Sequence, residues 1–271
     1  MDKHLAADNP KKAIQTEKAT LDDNINPLEQ HQAWLDKMTV QSKQKQEQFI
    51  TNISQRLGHP RMKEAPKHPY RGAPAFWQEL NWSTEQCVEQ FTANFNAVGG
   101  HVSRFATLAE AANFIANKAA ELGAKKIVRQ DERQLADLCL EQKLEGNGTE
   151  VLVWNNNQKG NWKAEAAQAD FGIVQAEHAV AYTGSVVVKS SEQKGRSVSL
   201  LPTVLFVIIP ESTLVTRLGE VLKQFDKEGR TSLPAGIHFI SGPSRSSDIE
   251  NDLTIGVHGP GVVFALIVKN A

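Results

Sequence analysis

A chain of 271 residues, 40% hydrophobic and 23% charged, has the makeup of an ordinary globular protein with a sizeable core. Its formal net charge of −1 argues against a general nucleic-acid binder, whose domains are usually distinctly basic. Two cysteines, Cys87 and Cys139, fall short of the four that an iron–sulfur cluster normally takes, and they predict no disulfide framework.

In chain order, residues 1–45 are rich in Lys, Gln, Asp and Asn and read as a mobile or partner-dependent arm. Within it, Ile25, Leu28, Trp34, Leu35 and Met38 suit one short amphipathic helix between Pro27 and Val40. It is read equally as disordered or as packed on its own domain or a twin subunit. The segment MDKHLAADNPKK has no apolar stretch resembling a signal peptide, which predicts a cytoplasmic location. The length fits one large α/β domain or one domain with an appendage. Phe49, Ile50, Ile53 and Leu57 line a helix that Gly58 stops. His59 to Pro74 carries four prolines and reads as an extended connector.

Ser83 and Gln86 form a capping-box pattern ahead of a helix lined by Val88, Phe91 and Phe95. Gly99-Gly100 ends it, and His101-Val102 starts a short strand. Thr107 and Glu110 form a second capping-box pattern that opens the next helix, which Gly123 closes. Lys126 to Arg129 reads as a strand, and Asp131 as the cap of a helix through Leu140. Further strands are predicted at Val151 to Trp154, Gly172 to Val174, Ser185 to Lys189, Val204 to Pro210, Ile237 to Ile240 and Val262 to Val268. Ser212 reads as the start of an amphipathic helix carrying Leu214, Leu218, Val221, Leu222 and Phe225. Strands alternating with helices imply crossover units and a mixed or mostly parallel sheet flanked by helices. The longest apolar run, Val204 to Ile209, is far short of the about 20 residues that cross a bilayer, so no membrane insertion is expected.

In such sheets ligands gather beyond the strand C-termini. Three polar segments are expected to converge there: Ala176 to Ser185, Gly195 to Thr203 and Ser241 to Asp248. In SGPSRSSDIENDLTIGVHGPG, Gly242, Ser244, Arg245 and Asp248 follow a buried strand. Ser247 reads as the start of a short helix with Glu250 completing its capping box. Small residues, a helix start and a fixed guanidinium suit an anion. The alternative is a capped turn in which Arg245 pairs with Asp248 or Glu250. In Tyr182-Thr183-Gly184-Ser185, small hydroxyl residues beside a glycine let a ligand approach the backbone. Arg196 offers a second positive charge, and His258 sits in a glycine-rich turn. Glu177 and Tyr182 are the candidate catalytic groups, although Glu177-His178 also reads as a surface helix turn. The eight histidines form no metal-ligating pattern, and no metal is expected. Neither a phosphate-binding P-loop, a serine-hydrolase elbow nor a dinucleotide fingerprint is present.

The segments YTGSVVV, GRSVSLLP, VIIP, ISGPSRSSDIE and IGVHGP, in that order, resemble the lactate-utilisation (LUD) domain family from about Gln46 to Ala271. The resemblance implies an α/β fold related to ribose-5-phosphate isomerases, CoA transferases and methenyltetrahydrofolate synthetase-like enzymes. It also implies a part in oxidising L-lactate to pyruvate beside two partner proteins that carry the iron–sulfur clusters. On this reading the chain is a cluster-free cytoplasmic subunit, a candidate homo-oligomer, with an anionic ligand in the sheet crevice. Relatives often read Ala-Glu-Thr-Gly where this chain has Ala181-Tyr182-Thr183-Gly184. Any role of that glutamate is therefore absent here or displaced to Glu177. Two other readings stay open: a stand-alone enzyme on a phosphorylated or CoA-linked metabolite, and a scaffold whose arm recruits partners.

Overall fold

The computed structural model describes residues 27–61, 64, 80–154, 160–229, 231–249 and 252–271; the side chains of Pro27, Ser247, Asp248, Ile249 and Asp252 lie outside that description. The chain divides into two compact units, Met1–Gly72 and Ala73–Ala271. In the first, a single helix α1 (Pro27–Leu57) takes the place of the two helical stretches read from sequence. The joining segment, Thr39 to Glu47, has neither glycine nor proline, so nothing in it stops a helix. Gly58 follows in the left-handed region, with φ of 70°. The readings on residues 1–26 and on most of the connector after Arg61 lie outside the described residues.

The second unit begins with α2 (Thr84–Ala97), β1 (His101–Thr107), α3 (Leu108–Leu122) and β2 (Lys126–Arg129). Short helices α4 (Arg133–Ala136) and α5 (Leu140–Lys143), β3 (Glu150–Val153), α6 (Trp162–Gln168) and β4 (Phe171–Gln175) follow. Then come β5 (His178–Val180), β6 (Ser185–Lys189), α7 (Ser197–Leu200), β7 (Val204–Pro210), β8 (Leu214–Val215) and α8 (Leu218–Glu228). The chain closes with β9 (Ile237–Ile240), β10 (Arg245–Ile249), β11 (Asp252–Ile255) and β12 (Val262–Asn270).

Six strands make one parallel sheet in the order β1-β12-β7-β4-β2-β3. The central strand β7 is buried along its whole length because both faces are covered. Leu205, Val207 and Ile209 face one side, where they meet α2 (Phe91, Phe95), Ala166 of α6, Val198 of α7 and Val186 and Val188 of β6. Phe206 and Ile208 face the other, against Ala112, Ile115 and Ala119 of α3 and Leu135 and Leu140 of the short helices. The Phe206 ring stacks 4.9 Å from Phe264 and lies 5.0 Å from Phe171. A second sheet, β8-β5-β6-β9, covers the first face and buries its own outer side, Val180 and Val187, under Val221 and Phe225 of α8. The predicted architecture, a mostly parallel sheet flanked by helices with a helical N-terminal extension, is what the structure has.

Local signals explain many of the boundaries. Both halves of the Ser83–Gln86 capping box form, and Gly123 ends α3 in the left-handed region with φ of 64°. Thr107 caps α3, but the Glu110 carboxylate reaches past it to the N–H of Ala106, at 2.9 Å. At the other end of β1, the N–H of Val102 donates to Asn96 Oδ1 at 3.2 Å. The chain thereby ties down two N–H groups on the open side of an edge strand.

Five further expectations fail. The helix expected from Asp131 to Leu140 is two short helices, because Cys139 adopts a left-handed conformation (φ 49°) and the Asp131 N–H is drawn to Gln193 O at 3.0 Å. The helix expected from Ser212 starts at Leu218. Leu214-Val215 instead pairs with Ala179-Val180 as β8, and Arg217 with Glu220 caps the shortened helix. Leu222, expected inward, is 44% exposed. Glu177-His178 is no helical turn: His178 begins β5, opposite Val187. Finally, Ser247 starts no helix. Residues 245–249 and 252–255 pair instead as the antiparallel strands β10 and β11, with Arg245 opposite Ile255 and Ile249 opposite Asp252, while Glu250 lies outside the described residues. A strand cannot present the turn that a Ser247–Glu250 capping box needs.

Candidate functional site

The expected ligand turn is assembled by the pairing of β6 with β9. Their antiparallel register, Val186 opposite Ile240, carries Ser185 to Ser241, and the two hydroxyls lie 2.6 Å apart. Ser185 is buried and Ser241 exposed, so the pair opens to solvent at one end. Gly184, with φ of 56°, has no room for a side chain: a Cβ there would stand 2.8 Å from the backbone of Asn94 and Phe95. Asn94 fastens this turn by donating to the carbonyls of Ala181 and Tyr182, at 2.9 and 3.1 Å. Thr183 is exposed beside it, and the Tyr182 ring, 45% exposed, stacks 6.2 Å from Trp82.

Gly242, also left-handed (φ 84°), presses on Val98, where a Cβ would come within 3.0 Å of the side chain and 3.2 Å of the carbonyl oxygen. Arg245 Nη2 donates to that same Val98 carbonyl. Val98 is the C-cap of α2, the negative end of the helix dipole, so part of the guanidinium's charge is used in closing α2. Ser244 anchors the base of the hairpin: its N–H bonds Pro260 O and its carbonyl accepts from Gly256, each at 2.9 Å. Gly259 packs against Ser244, which brings the exposed His258 turn alongside. Asp248 lies on β10, with its side chain outside the described set. Arg196 is placed elsewhere, against Gly236 and near His238. Burial, with help from the Arg196 charge, lowers the His238 pKa.

A second polar cluster stands beyond the C-termini of β2 and β4, where parallel sheets usually hold their ligands. Lys194, in the loop after β6, pairs with Glu132 after β2 and, at 2.6 Å, with Glu177 after β4. Burial pushes the Glu132 carboxyl above its ordinary range against the pull of Lys194. Burial also works to raise Glu177, but the Lys194 hydrogen bond and charge, with Lys189 and His178, outweigh it and leave the carboxyl below its usual value. For Lys194 itself, burial is outweighed by the two carboxylates, so its pKa rises. Trp154, after β3, frames this end: Gly195 lies against its indole and its Nε1 donates to Glu192 O at 3.1 Å.

The structure thus brings Thr183, Gly184, Ser185 and Gly242 together, with Ser244 and Arg245 next to them on the hairpin. It puts Glu177 and Tyr182 at opposite ends of β5, so Glu177 does not fill the position of a glutamate at Tyr182. Sequence reasoning passed over Glu132 and Lys194. The polar Gln130-Asp131-Glu132 directly after a buried parallel strand was a usable signal for the first. Lys194 had none, because its partners come from distant loops. Among the described residues, no group of three or more His, Cys, Asp or Glu is placed to hold a metal ion, and no helix is long and apolar enough to cross a membrane.

This parallel α/β domain falls in an existing domain class. The LUD domain model fits residues 88–268, and the chain belongs to that family. Among curated proteins, it is 34% identical to a lactate utilization protein C of Halalkalibacterium halodurans over 84% of this chain and 99% of that protein. It is 35% identical to one of Shouchella clausii, over 82% of this chain and 96% of that protein. An uncharacterized Escherichia coli protein, YkgG, is 30% identical over 82% of this chain and 97% of its own length. A solved DUF162 family protein from Deinococcus radiodurans superposes with a TM-score of 0.51 at 19% identity, covering 69% of this chain and 99% of that one, which shows the shared fold.

Proposed function

We propose that the protein is a cluster-free subunit of a cytoplasmic system that oxidises L-lactate to pyruvate. The observation that carries this reading is the near full-length match to relatives called lactate utilization protein C, over 96 and 99% of their lengths. Oxidising a secondary alcohol to a ketone releases two electrons and two protons. With Cys87 buried in the core and Cys139 alone at the surface, the chain cannot supply four thiolates to a cluster that would accept those electrons. Iron–sulfur partner proteins are therefore the electron acceptors in this proposal, with residues 1–45 as the arm that recruits them. The paired turns at Ser185, Ser241 and Arg245 hold a small anionic ligand, the guanidinium fork keeping donors beyond the one it gives to Val98.

The reading is tested by deleting the gene and growing the strain on L-lactate as the only carbon source. Growth should be lost on lactate and kept on pyruvate, and undiminished growth on lactate overturns the assignment. Complementation with Arg245→Ala separates role from site. The variant should restore growth poorly while remaining folded, with only the modest fall in melting temperature that loss of the Val98 contact brings, and full restoration removes Arg245 from ligand binding.

A further inference from the structure

The strand-end cluster contains buried polar groups that the lactate reading leaves unused. Gln130 is 1% exposed, and its Oε1 makes no hydrogen bond. An unpaired buried carbonyl of this kind is destabilising unless a ligand or water meets it. Its surroundings are well defined. Gln130 continues β2, with its N–H on Ile173 O at 3.1 Å, and the β2–β3 register sets it beside Trp154. Glu132, two residues on in extended backbone (φ −128°, ψ 147°), projects to the same side, where Lys194 meets it. The Trp162 ring lies 5.5 Å from Trp154, and its buried Nε1 likewise has no acceptor. Ser197, two residues beyond the Gly195 that touches Trp154, has a buried hydroxyl without a partner.

We propose that this cluster is a binding site for a small neutral polyhydroxylated molecule, a polyol or pentose. The cluster holds both acceptors (Gln130 Oε1 and the carboxylates) and donors (Trp162 Nε1 and the Lys194 ammonium), and Ser197 can act as either. A hydroxyl group also does both, so vicinal hydroxyls match the set. Two carboxylates around one ammonium leave an excess negative charge, which disfavours an anion. The two indoles, inclined at 46° to each other, add apolar ring surface for the C–H groups of a sugar. This site is separate from the Ser185–Ser241 turn, and its test does not depend on growth on lactate.

The full-length protein is titrated with D-ribose, D-sorbitol and myo-inositol, following tryptophan emission and saturation-transfer NMR. At least one should give a saturable response, while inorganic phosphate and acetate give none at these tryptophans. Gln130→Leu keeps the volume and removes the carbonyl. It should weaken binding by about tenfold, or 1.4 kcal/mol, while raising thermal stability because an unpaired buried group is gone. Should that variant fail to fold, Ser197→Ala is measured instead and should also bind more weakly. Absence of a saturable response to all three compounds, unchanged binding in the variant, or a stronger response to phosphate or acetate overturns the proposal. The first of those results would leave ordered water as the occupant.

Discussion

Lys194→Met is expected to destabilise the protein by about 2–4 kcal/mol at neutral pH, with the loss shrinking as the pH falls. The lysine side chain is 22% exposed, between Glu132 at 13% and Glu177 at 30%, so removing the ammonium leaves two half-buried carboxylates facing one another. Glu177, held below its ordinary value, contributes stability that is present above its unfolded pKa and lost as pH falls through its folded pKa. Glu132, held above its ordinary value by burial, acts in the opposite sense: its contribution is complete below the unfolded pKa and declines as pH rises through the folded one. The raised Lys194 pKa adds stability that is lost only as pH rises through the folded lysine value, so it is constant in acid. In the variant both carboxyls take up protons near mildly acidic pH, which relieves the repulsion. Urea unfolding of both proteins at neutral pH and near the carboxylate range measures this. An equal loss at the two pH values contradicts the account.

Gly172→Ala should cost about 3 kcal/mol, at the top of the usual range for overpacking. A Cβ on Gly172 would stand 2.1 Å from Val198 O and 3.0 Å from the ring of Pro202. A backbone carbonyl and a proline ring have no alternative rotamer, so α7 itself must move off β4. The displacement would carry Ser199, whose hydroxyl lies 3.4 Å from His238 Nδ1. The urea midpoint should fall with an unchanged slope, since the surface exposed on unfolding stays the same. Gly219→Ala is the matching control. That glycine lies in α8 with nothing within 4 Å of a Cβ, so alanine there should stabilise by about 0.5–1 kcal/mol. A Gly172→Ala protein as stable as its parent would show that α7 is not clamped as the structure has it.

Elements whose signals are local were legible in the sequence. The Ser83 and Thr107 caps, Gly123 and the continuous apolar run of β7 each sit beside the residues they organise, and each reads correctly from a few neighbours. The misread elements depend on remote partners. Leu214-Val215 resembles the start of an amphipathic helix until β5 is there to receive it. The Ser247 to Glu250 spacing is that of a capping box, yet Ser246 and Ile249 on either side of it find partners in Thr254 and Asp252 of β11. The site follows the same division. Gly184, Ser185, Gly242 and Arg245 were recognisable as turn chemistry, whereas the 2.6 Å contact of Ser185 with Ser241 comes from a strand register. Glu132, Lys194 and Glu177 meet only because three separate loops gather beyond the C-termini of β2 and β4.

The hydrogen bonds that Asn96 and Glu110 make to β1 bear on how the protein behaves at high concentration. An uncovered seven-residue border strand is a template onto which another chain can polymerise, backbone to backbone. Here side chains from the flanking helices occupy two of its donors, at Val102 and Ala106. The far border, β3, is only four residues long and begins with Glu150. Ribbon growth from either border of the parallel sheet is therefore discouraged.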